Sequence, residues 1–304
     1  MVRNVAPLMQ DLEEPDFYLL SGIEQGMRFS KWVNRAKLPS LTNLDQGEIA
    51  YRLNRCHDLE LIERNTIQYE GYRLKFEGYD VLALRTFSER GTIHAVGAAL
   101  GEGKESDVLE ATNEEVVAIK FHREGLTNFR EVHREREYTA DREHTSWLYT
   151  ARKAAEHEYE MLRLLSPVVS VPEPIDQNRH AIVMERMDGI ELARACVKDS
   201  VSFELFFQIL QEIAFVYQEG IVHGDISEYN IFLEDQRPRL FDWPQAVFSD
   251  HPNADEILMR DISNLHSYFA RKYPGHIPQD LEIASLVSAV KSNMLKKSQL
   301  SPNK

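Results

Sequence analysis

Cysteine is scarce: Cys56 and Cys196 are the only two among 304 residues, and their separation offers neither a disulfide framework nor a metal-ligand pair. That argues against a small disulfide-stapled secreted fold and for a reducing compartment. Long apolar runs are missing too. Nothing approaches the ~20 consecutive apolar residues of a membrane span, and the opening Met1-Val2-Arg3-Asn4-Val5-Ala6-Pro7 lacks the apolar stretch of a signal peptide. The expectation is a cytoplasmic protein with no membrane partner. Basic charge is short as well, with 35 Lys+Arg against 49 Asp+Glu and a net charge of −14. The deficit falls mostly after residue 91, because residues 1–91 hold 12 basic against 14 acidic side chains. A nucleic-acid contact would therefore rest on a local patch and not on the overall field.

What is present is ordinary globular material, 43% apolar and 28% charged, in a length that suits roughly two domains of ~150 residues. Residues 44–65 open on the cap candidates Asn43 and Asp45 and repeat Ile49, Leu53, Leu59 and Ile62 at helical spacing, which predicts two short helices. Residues 68–74 alternate apolar or aromatic with polar residues, so a hairpin is expected with its bend at Gly71, and another helix begins at Gly78. Helix, helix, wing, helix is the pattern of a winged helix-turn-helix. Such modules contact nucleic acid, and they also serve as plain protein–protein packing units.

After a short linker at Ser88-Glu89-Arg90-Gly91, residues 93–96 read as a strand that enters a glycine-rich turn, Gly97-Ala98-Ala99-Leu100-Gly101-Glu102-Gly103-Lys104-Glu105-Ser106. Glycine there lets backbone N–H groups approach phosphate oxygens. An apolar, β-branched strand follows, Val116-Val117-Ala118-Ile119-Lys120-Phe121, carrying one long cation. Residues 123–146 are dense in charge and poor in apolar residues, and predict a mobile loop with room for a short helix. Residues 147–165 predict an amphipathic helix on which Glu156, Glu158 and Glu160 compete to pair with Lys120. Further strands are expected at 180–185 and 239–241, a hinge at 186–189, and a long helix over 203–218 that Gly220 ends.

The chemistry concentrates in His223-Gly224-Asp225, with Asn230 five residues on and Asp242 twelve residues beyond that. Phosphoryl transfer needs positioning and charge stabilisation more than covalent assistance. Asp242 is suited to hold a divalent metal and Asn230 to complete its shell with a neutral oxygen. Oxygen ligands favour Mg2+, with Mn2+ as an alternative. Asp225 is left to orient an attacking hydroxyl or water, and Lys120 to meet the α/β-phosphates of ATP. Each residue alone has a structural explanation as turn, cap or surface charge; their joint order favours ATP-dependent phosphate transfer.

These residues resemble the RIO family of atypical serine/threonine protein kinases, and within it the second (Rio-two) subfamily. Gly101 to Asp107 looks like the family's phosphate loop, Ile221 to Asn230 like its catalytic loop, and Phe241-Asp242-Trp243-Pro244-Gln245-Ala246 like its metal-binding segment. The winged-helix pattern of residues 1–91 is similar to the domain that marks the second subfamily, and a chain ending at Lys304 looks like the archaeal form. The resemblance implies an α+β architecture. A winged helix-turn-helix domain (1–91) precedes a bilobal kinase-like domain, with an N-lobe at 92–187 and a C-lobe at 188–304.

The resemblance further implies that Gly101, Gly103, Lys104, Glu105 and Ser106 cradle phosphates, and that Lys120 pairs with Glu158. Glu185 and Met187 should offer backbone hydrogen bonds to adenine. The implied activities are Mg-ATP hydrolysis, autophosphorylation and serine/threonine kinase activity in maturation of the small ribosomal subunit, with its precursor rRNA and ribosomal proteins as partners. Two departures stand out. Trp243 stands where the family usually has Phe, and Gly224 replaces the arginine of ordinary protein kinases, which also carry an Ala-Pro-Glu signature downstream that is absent here. As in the family, this implies an acceptor that is water, the enzyme itself, or Asp242 through a transient acyl phosphate. Small-molecule kinases of the aminoglycoside or choline type share the His-Gly-Asp and Asp-Trp pairs, and a non-catalytic winged-helix regulator is the third alternative.

Overall fold

The computed structural model describes residues 5–102, 106–123, 147–279 and 281–296. The chain forms two compact units, Met1–Glu156 with Ile175–Met184, and His157–Pro174 with Glu185–Lys304.

The first unit opens with helices α1 (Val5–Asp11) and α2 (Glu14–Met27), the short strand β1 (Val33–Asn34), and helices α3 (Leu38–Thr42) and α4 (Gln46–Asp58). Asp45 starts α4, its side chain accepting the Gly47 and Glu48 N–H groups at 2.8 and 2.9 Å. Strands β2 (Ile62–Asn65) and β3 (Gly71–Leu74) form the wing with β1, in the antiparallel order β1-β3-β2, and α5 (Phe76–Glu89) follows. This is a winged helix-turn-helix.

Its details differ from the periodicity reading. Residues 44–65 make one helix and one strand, because the chain turns at Leu59 and Glu60, the latter at φ 59°, and Ile62 then pairs with Leu74 across the wing. The apolar run from Ile49 to Ile62 thus changes from helical to strand period midway. Gly71 is not the bend either. It sits within β3 opposite both Asn34 and Asn65, where a Cβ would lie 2.9 Å from the Tyr69 ring. The fifth helix begins two residues ahead of Gly78, and a Cβ at Gly78 would meet the Leu61 carbonyl oxygen at 2.4 Å.

Strands β4 (Ala95–Glu102), β5 (Ser106–Thr112) and β6 (Val116–His122) run antiparallel to one another, so the turn expected from Gly97 is instead paired strand as far as Glu102, and α6 (Trp147–Leu165) follows in sequence. Strands β7 (Pro174–Asn178) and β8 (Ala181–Glu185) complete a five-stranded sheet of order β4-β5-β6-β8-β7. One apolar cluster runs from Leu20, Ile49 and Leu53 through Tyr79 and Leu82 to Ile119 and Val183. Burial on this scale, at ~25 cal/mol per Å2 of apolar surface, is the main force joining the winged helix to the sheet.

Arg123, where the mobile loop expected over 123–146 begins, follows β6 directly and has no regular structure of its own. It is buried, not exposed, in a network with Asp80, Asp107 and His180. Residues 124–146 of that segment lie outside the described residues.

In the second unit the strand β9 (Ile190–Glu191) is followed by the long helix α7 (Asp199–Gln218), which ends at Gly220 with φ 77°. Strands β10 (Ile221–Val222), β11 (Ile231–Glu234), β12 (Arg237–Leu240) and β13 (Val247–Phe248) come next, then helices α8 (Ala254–Lys272) and α9 (Ile283–Lys291). They form two small sheets, β12-β11-β9 and β10-β13. Phe206, Phe269, Leu210 and Ile262 are buried side chains of α7 and α8. Among the described residues no helix is long and apolar enough to cross a membrane.

Candidate active site

In the first unit the strand pair β5–β6 sets the positions of the expected phosphate-binding residues. Lys120 lies in the middle of β6, opposite Val108, and is 5% exposed. A lysine so placed keeps its backbone in the ladder while its ammonium is largely withdrawn from water. Gly101 lies in β4 opposite Val108, and Ser106 begins β5 opposite His122. Gly103, Lys104 and Glu105 lie outside the described residues. Asp107, the residue after Ser106, accepts a hydrogen bond from Arg123 Nε at 2.9 Å.

The second unit gathers Asp225, Asn230 and Asp242. The Asn230 Nδ2 donates at 2.8 Å both to the Asp225 carbonyl oxygen and to its Oδ2. With both amide protons engaged on Asp225, Asn230 keeps its Oδ1 as an acceptor for another group. The Asp225 carboxyl is pushed up from the usual carboxylate range, chiefly by burial and further by the charge of Asp242; the Asn230 bond and Arg260 act the other way. Asp242 itself sits at φ 70°, a left-handed conformation that costs a non-glycine residue of order 1 kcal/mol and persists only where its surroundings enforce it.

Those surroundings are visible. Phe241 donates its N–H to the Asn230 carbonyl oxygen at 3.2 Å. His223 accepts the Asp225 N–H at Nδ1 (3.3 Å), which fixes the tautomer so that Nε2–H donates to the Phe241 carbonyl oxygen (3.1 Å). On the other side Glu158 Oε1 accepts the Trp243 N–H at 3.1 Å. Asp242 is thus held from both neighbours. Trp243 is fully buried and tilts against the His223 ring at 4.3 Å between centroids.

Of the three glutamates in α6, Glu158 is buried, Glu160 is exposed, and Glu156 is engaged by Arg152 and Lys153 at 2.8 and 2.6 Å. Glu185 ends β8, and Met187 lies in the irregular segment after it, both partly exposed.

Gly224 has a local reason to be glycine. Its φ is 83°, and a Cβ would stand 2.3 Å from the Gln245 carbonyl oxygen, so neither arginine nor alanine fits without moving the loop. Sequence reasoning missed the residue that anchors this loop. Asp261, on α8 and almost fully buried, accepts the Gly224 N–H at 2.8 Å and the Ile226 N–H at 3.2 Å. Arg260 also donates to the Gly224 carbonyl oxygen. A signal existed: Asp261 falls on the buried stripe of Ala254, Leu258, Ile262, Leu265 and Phe269, where an acid needs a partner.

The donor set fits Mg2+. It offers one carboxylate and one amide oxygen, and among the described residues no group of three or more His, Cys, Asp or Glu could form a closed protein cage. Mg2+ binds in this way, through one or two protein oxygens together with substrate phosphates and water.

Known proteins resemble this chain over most of its length. Residues 107–281 match the RIO domain family model and residues 9–90 the Rio2 N-terminal model. A RIO-type serine/threonine-protein kinase Rio2 from Methanocaldococcus jannaschii is 41% identical over 255 residues, covering 81% of this chain and 93% of the relative. A serine/threonine-protein kinase RIO2 from Caenorhabditis elegans is 36% identical over 90% of this chain but only 52% of the relative, so the chain spans about half the nematode protein. The crystal structure of a Chaetomium thermophilum Rio2 kinase-ADP/Mg2+-phosphoaspartate complex superposes with a TM-score of 0.78 at 28% identity, over 97% of this chain and 91% of that one. The chain belongs to the RIO family of atypical serine/threonine protein kinases, in its Rio2 branch.

Proposed function

We propose that this protein binds Mg-ATP and transfers or releases its γ-phosphoryl group as a cytoplasmic serine/threonine kinase and ATPase, with autophosphorylation, in maturation of the small ribosomal subunit. The observation that carries the reading is the Asn230–Asp225 hydrogen bond beside Asp242. It leaves the Asn230 amide oxygen to join the Asp242 carboxylate on the metal, with the Asp225 carboxylate, its pKa raised, for the attacking group. The three proposed segments are a winged helix over 1–91, an N-lobe over 92–187 and a C-lobe over 188–304.

In this reading Asn230 and Asp242 hold Mg2+, which neutralises developing charge on the phosphates when bound. Lys120 meets the α/β-phosphates. Gly101, Gly103, Lys104, Glu105 and Ser106 form the phosphate cradle, and Glu185 and Met187 present backbone groups to adenine. Glu158 holds the Trp243 N–H and so keeps Asp242 in place. Asp225 accepts the proton of an attacking hydroxyl or water. Where Asp242 is the acceptor, its oxygen bonds to the γ-phosphorus as the bond to ADP breaks, and water later releases inorganic phosphate. The phosphoaspartate of the Chaetomium thermophilum complex supports that route.

The winged helix is proposed to contact precursor rRNA or ribosomal protein. Arg52 and Arg55 of α4 are bound to Asp16, Glu13 and Glu48. A phosphate contact is therefore assigned to the exposed Lys31 and Lys37, which lie in sequence on either side of β1, and not to the exposed face of α4.

The experiment is to follow γ-labelled phosphate from Mg-ATP, with and without immature small ribosomal subunits, recording acid and base stability of any protein-bound label. Free phosphate or base-labile label that depends on Asp225 and responds to the subunits supports the reading. Base-stable label moving onto a separate protein over many turnovers replaces it with a conventional phosphorylating kinase. Turnover stimulated by an aminoglycoside or amino alcohol replaces it with a small-molecule kinase.

A further inference from the structure

Arg239, in β12, lies three residues before Asp242 and is 12% exposed. Its guanidinium grips the Glu185 carboxylate with both terminal nitrogens, NH1 to Oε1 at 2.7 Å and NH2 to Oε2 at 2.8 Å. The same nitrogens also reach Glu234 Oε2 at 2.9 Å and the Val171 carbonyl oxygen at 2.8 Å. Glu185 is held in turn. Its Oε2 accepts the Glu173 N–H at 3.1 Å while its own N–H donates to the Glu173 carbonyl oxygen at 2.8 Å. The pairing keeps the Glu185 carboxyl below the usual carboxylate range, the Arg239 hydrogen bonds being the largest cause.

The chain on the other side of Arg239 leads without slack to the metal residues. Leu240 donates its N–H to the Ser170 carbonyl oxygen at 3.3 Å, and Phe241 pairs with Asn230 at 3.2 Å. A planar fork fixed at four oxygens is stiff in both directions and orientation, which a lysine's point charge is not.

We propose that Arg239 is a positioning residue that couples the adenine-binding segment at Glu185–Met187 to the metal-binding pair Asn230 and Asp242, so that base and metal-phosphate are bound in one register. This rests on the kinase reading above. A guanidinium that merely stabilised the fold would alter unfolding temperature and leave the agreement between the two half-sites unchanged.

The test uses the full chain and titration calorimetry with three probes: adenosine alone, Mg-tripolyphosphate alone, and Mg-ATP. For wild type, Mg-ATP affinity should exceed what the two fragments give separately. In Arg239→Leu we expect adenosine and Mg-tripolyphosphate to bind within about twofold of wild type while Mg-ATP loses about tenfold, equivalent to about 1.4 kcal/mol of coupling. Arg239→Lys should fall between. Glu185→Gln should weaken Mg-ATP binding to a similar extent, and combining it with Arg239→Leu should add little further loss, because the two act as one unit.

Equal binding of Mg-ATP by wild type and all variants, or full additivity of Arg239→Leu and Glu185→Gln, overturns the proposal. Should Arg239→Leu fail to fold, Arg239→Lys carries the same comparison. A wild type that binds no Mg-ATP overturns the kinase reading itself, and this coupling with it.

Discussion

Arg123 holds both carboxylate oxygens of Asp80, NH1 to Oδ1 at 2.7 Å and NH2 to Oδ2 at 2.8 Å, with both side chains almost wholly out of water. The same guanidinium donates from Nε to Asp107 at 2.9 Å. One cation therefore ties α5 of the winged helix to the strand that begins at Ser106. Breaking a buried pair from one side costs about 3–5 kcal/mol where the other charge is stranded, and because Asp107 still holds Arg123 Nε the lower end of that range applies. Asp80→Ala should lower unfolding stability in urea by that amount, and the double variant Asp80→Leu with Arg123→Leu should lose less than the two singles added. A loss below about 1 kcal/mol for Asp80→Ala would show the pair to be dispensable.

His180 adds a pH dependence to the same cluster. Its Nε2–H donates to Asp80 Oδ1 at 2.7 Å, its ring stacks on Tyr79 at 4.6 Å, and its Nδ1 is buried with no partner among the described residues. A second proton would have to sit on that Nδ1. Burial pushes the imidazole down to about 4; the charges of Arg123 and His122 act with burial, and Asp80 opposes it. The unfolded chain takes up this proton near pH 6.5, the folded chain only near 4. Stability from this group is thus complete above about 6.5 and declines as pH falls towards 4, by up to about 3 kcal/mol. Urea unfolding at pH 7 and pH 4.5 should show a smaller pH difference in His180→Gln than in wild type, and an equal difference would remove His180 from the account.

The sequence made the order of these parts legible because strand and helix periods and the Asp225, Asn230, Asp242 spacing are local properties. Strand β6 carrying Lys120 and helix α6 over Trp147–Leu165 lie where the patterns put them. What stayed hidden depends on partners distant in sequence. Arg123 reads as part of a charged loop until Asp80, 43 residues away, is seen against it. Asp261 is one acid on an apolar stripe, without a visible partner, until the Gly224 N–H, 37 residues away, is found on it. Gly224 shows as a departure from ordinary kinases, but its reason, the Gln245 carbonyl oxygen where a Cβ would be, belongs to the folded loop. Leu59 and Glu60 defeated the helix reading of 44–65 because an apolar residue every third or fourth position does not reveal where helix becomes strand.

Asp225 and Asp242 should fail differently. Removing the Asp225 carboxylate takes away the acceptor of the incoming proton and leaves Asn230 and Asp242 to bind metal, so Asp225→Ala should abolish turnover while Mg-ATP affinity stays within a few-fold. Asp242→Asn removes a charge from the metal shell, so Mg-ATP affinity should fall at least tenfold while metal-free nucleotide affinity changes little. Equal loss of nucleotide affinity in both variants would exchange or dissolve these roles.

Asp261 predicts the acid limb of turnover. Burial raises its carboxyl to about 6, against the pull of the Gly224 and Ile226 N–H groups and Arg260, and with a push from the Asp225 charge. A carboxyl with its folded pKa raised favours the fold when protonated, so its contribution to stability grows below about pH 6 and fades as pH rises through that value. Lowering the pH therefore does not unfold the protein through this group. It does remove one of the two acceptors that hold the backbone on either side of Asp225, and turnover should fall with an apparent pKa near 6 while the loop's fold persists. In Asp261→Asn the amide can accept one N–H but sets its own NH2 against the other, a loss of about 3 kcal/mol, or ~10^2-fold in turnover at neutral pH. Whatever acid limb survives in that variant belongs to Asp225, whose pKa is also raised. The measurement is turnover against pH from 5 to 8 for wild type and Asp261→Asn, with thermal unfolding recorded at each pH. Wild-type turnover with an unchanged acid limb in the variant would leave Asp261 as packing alone.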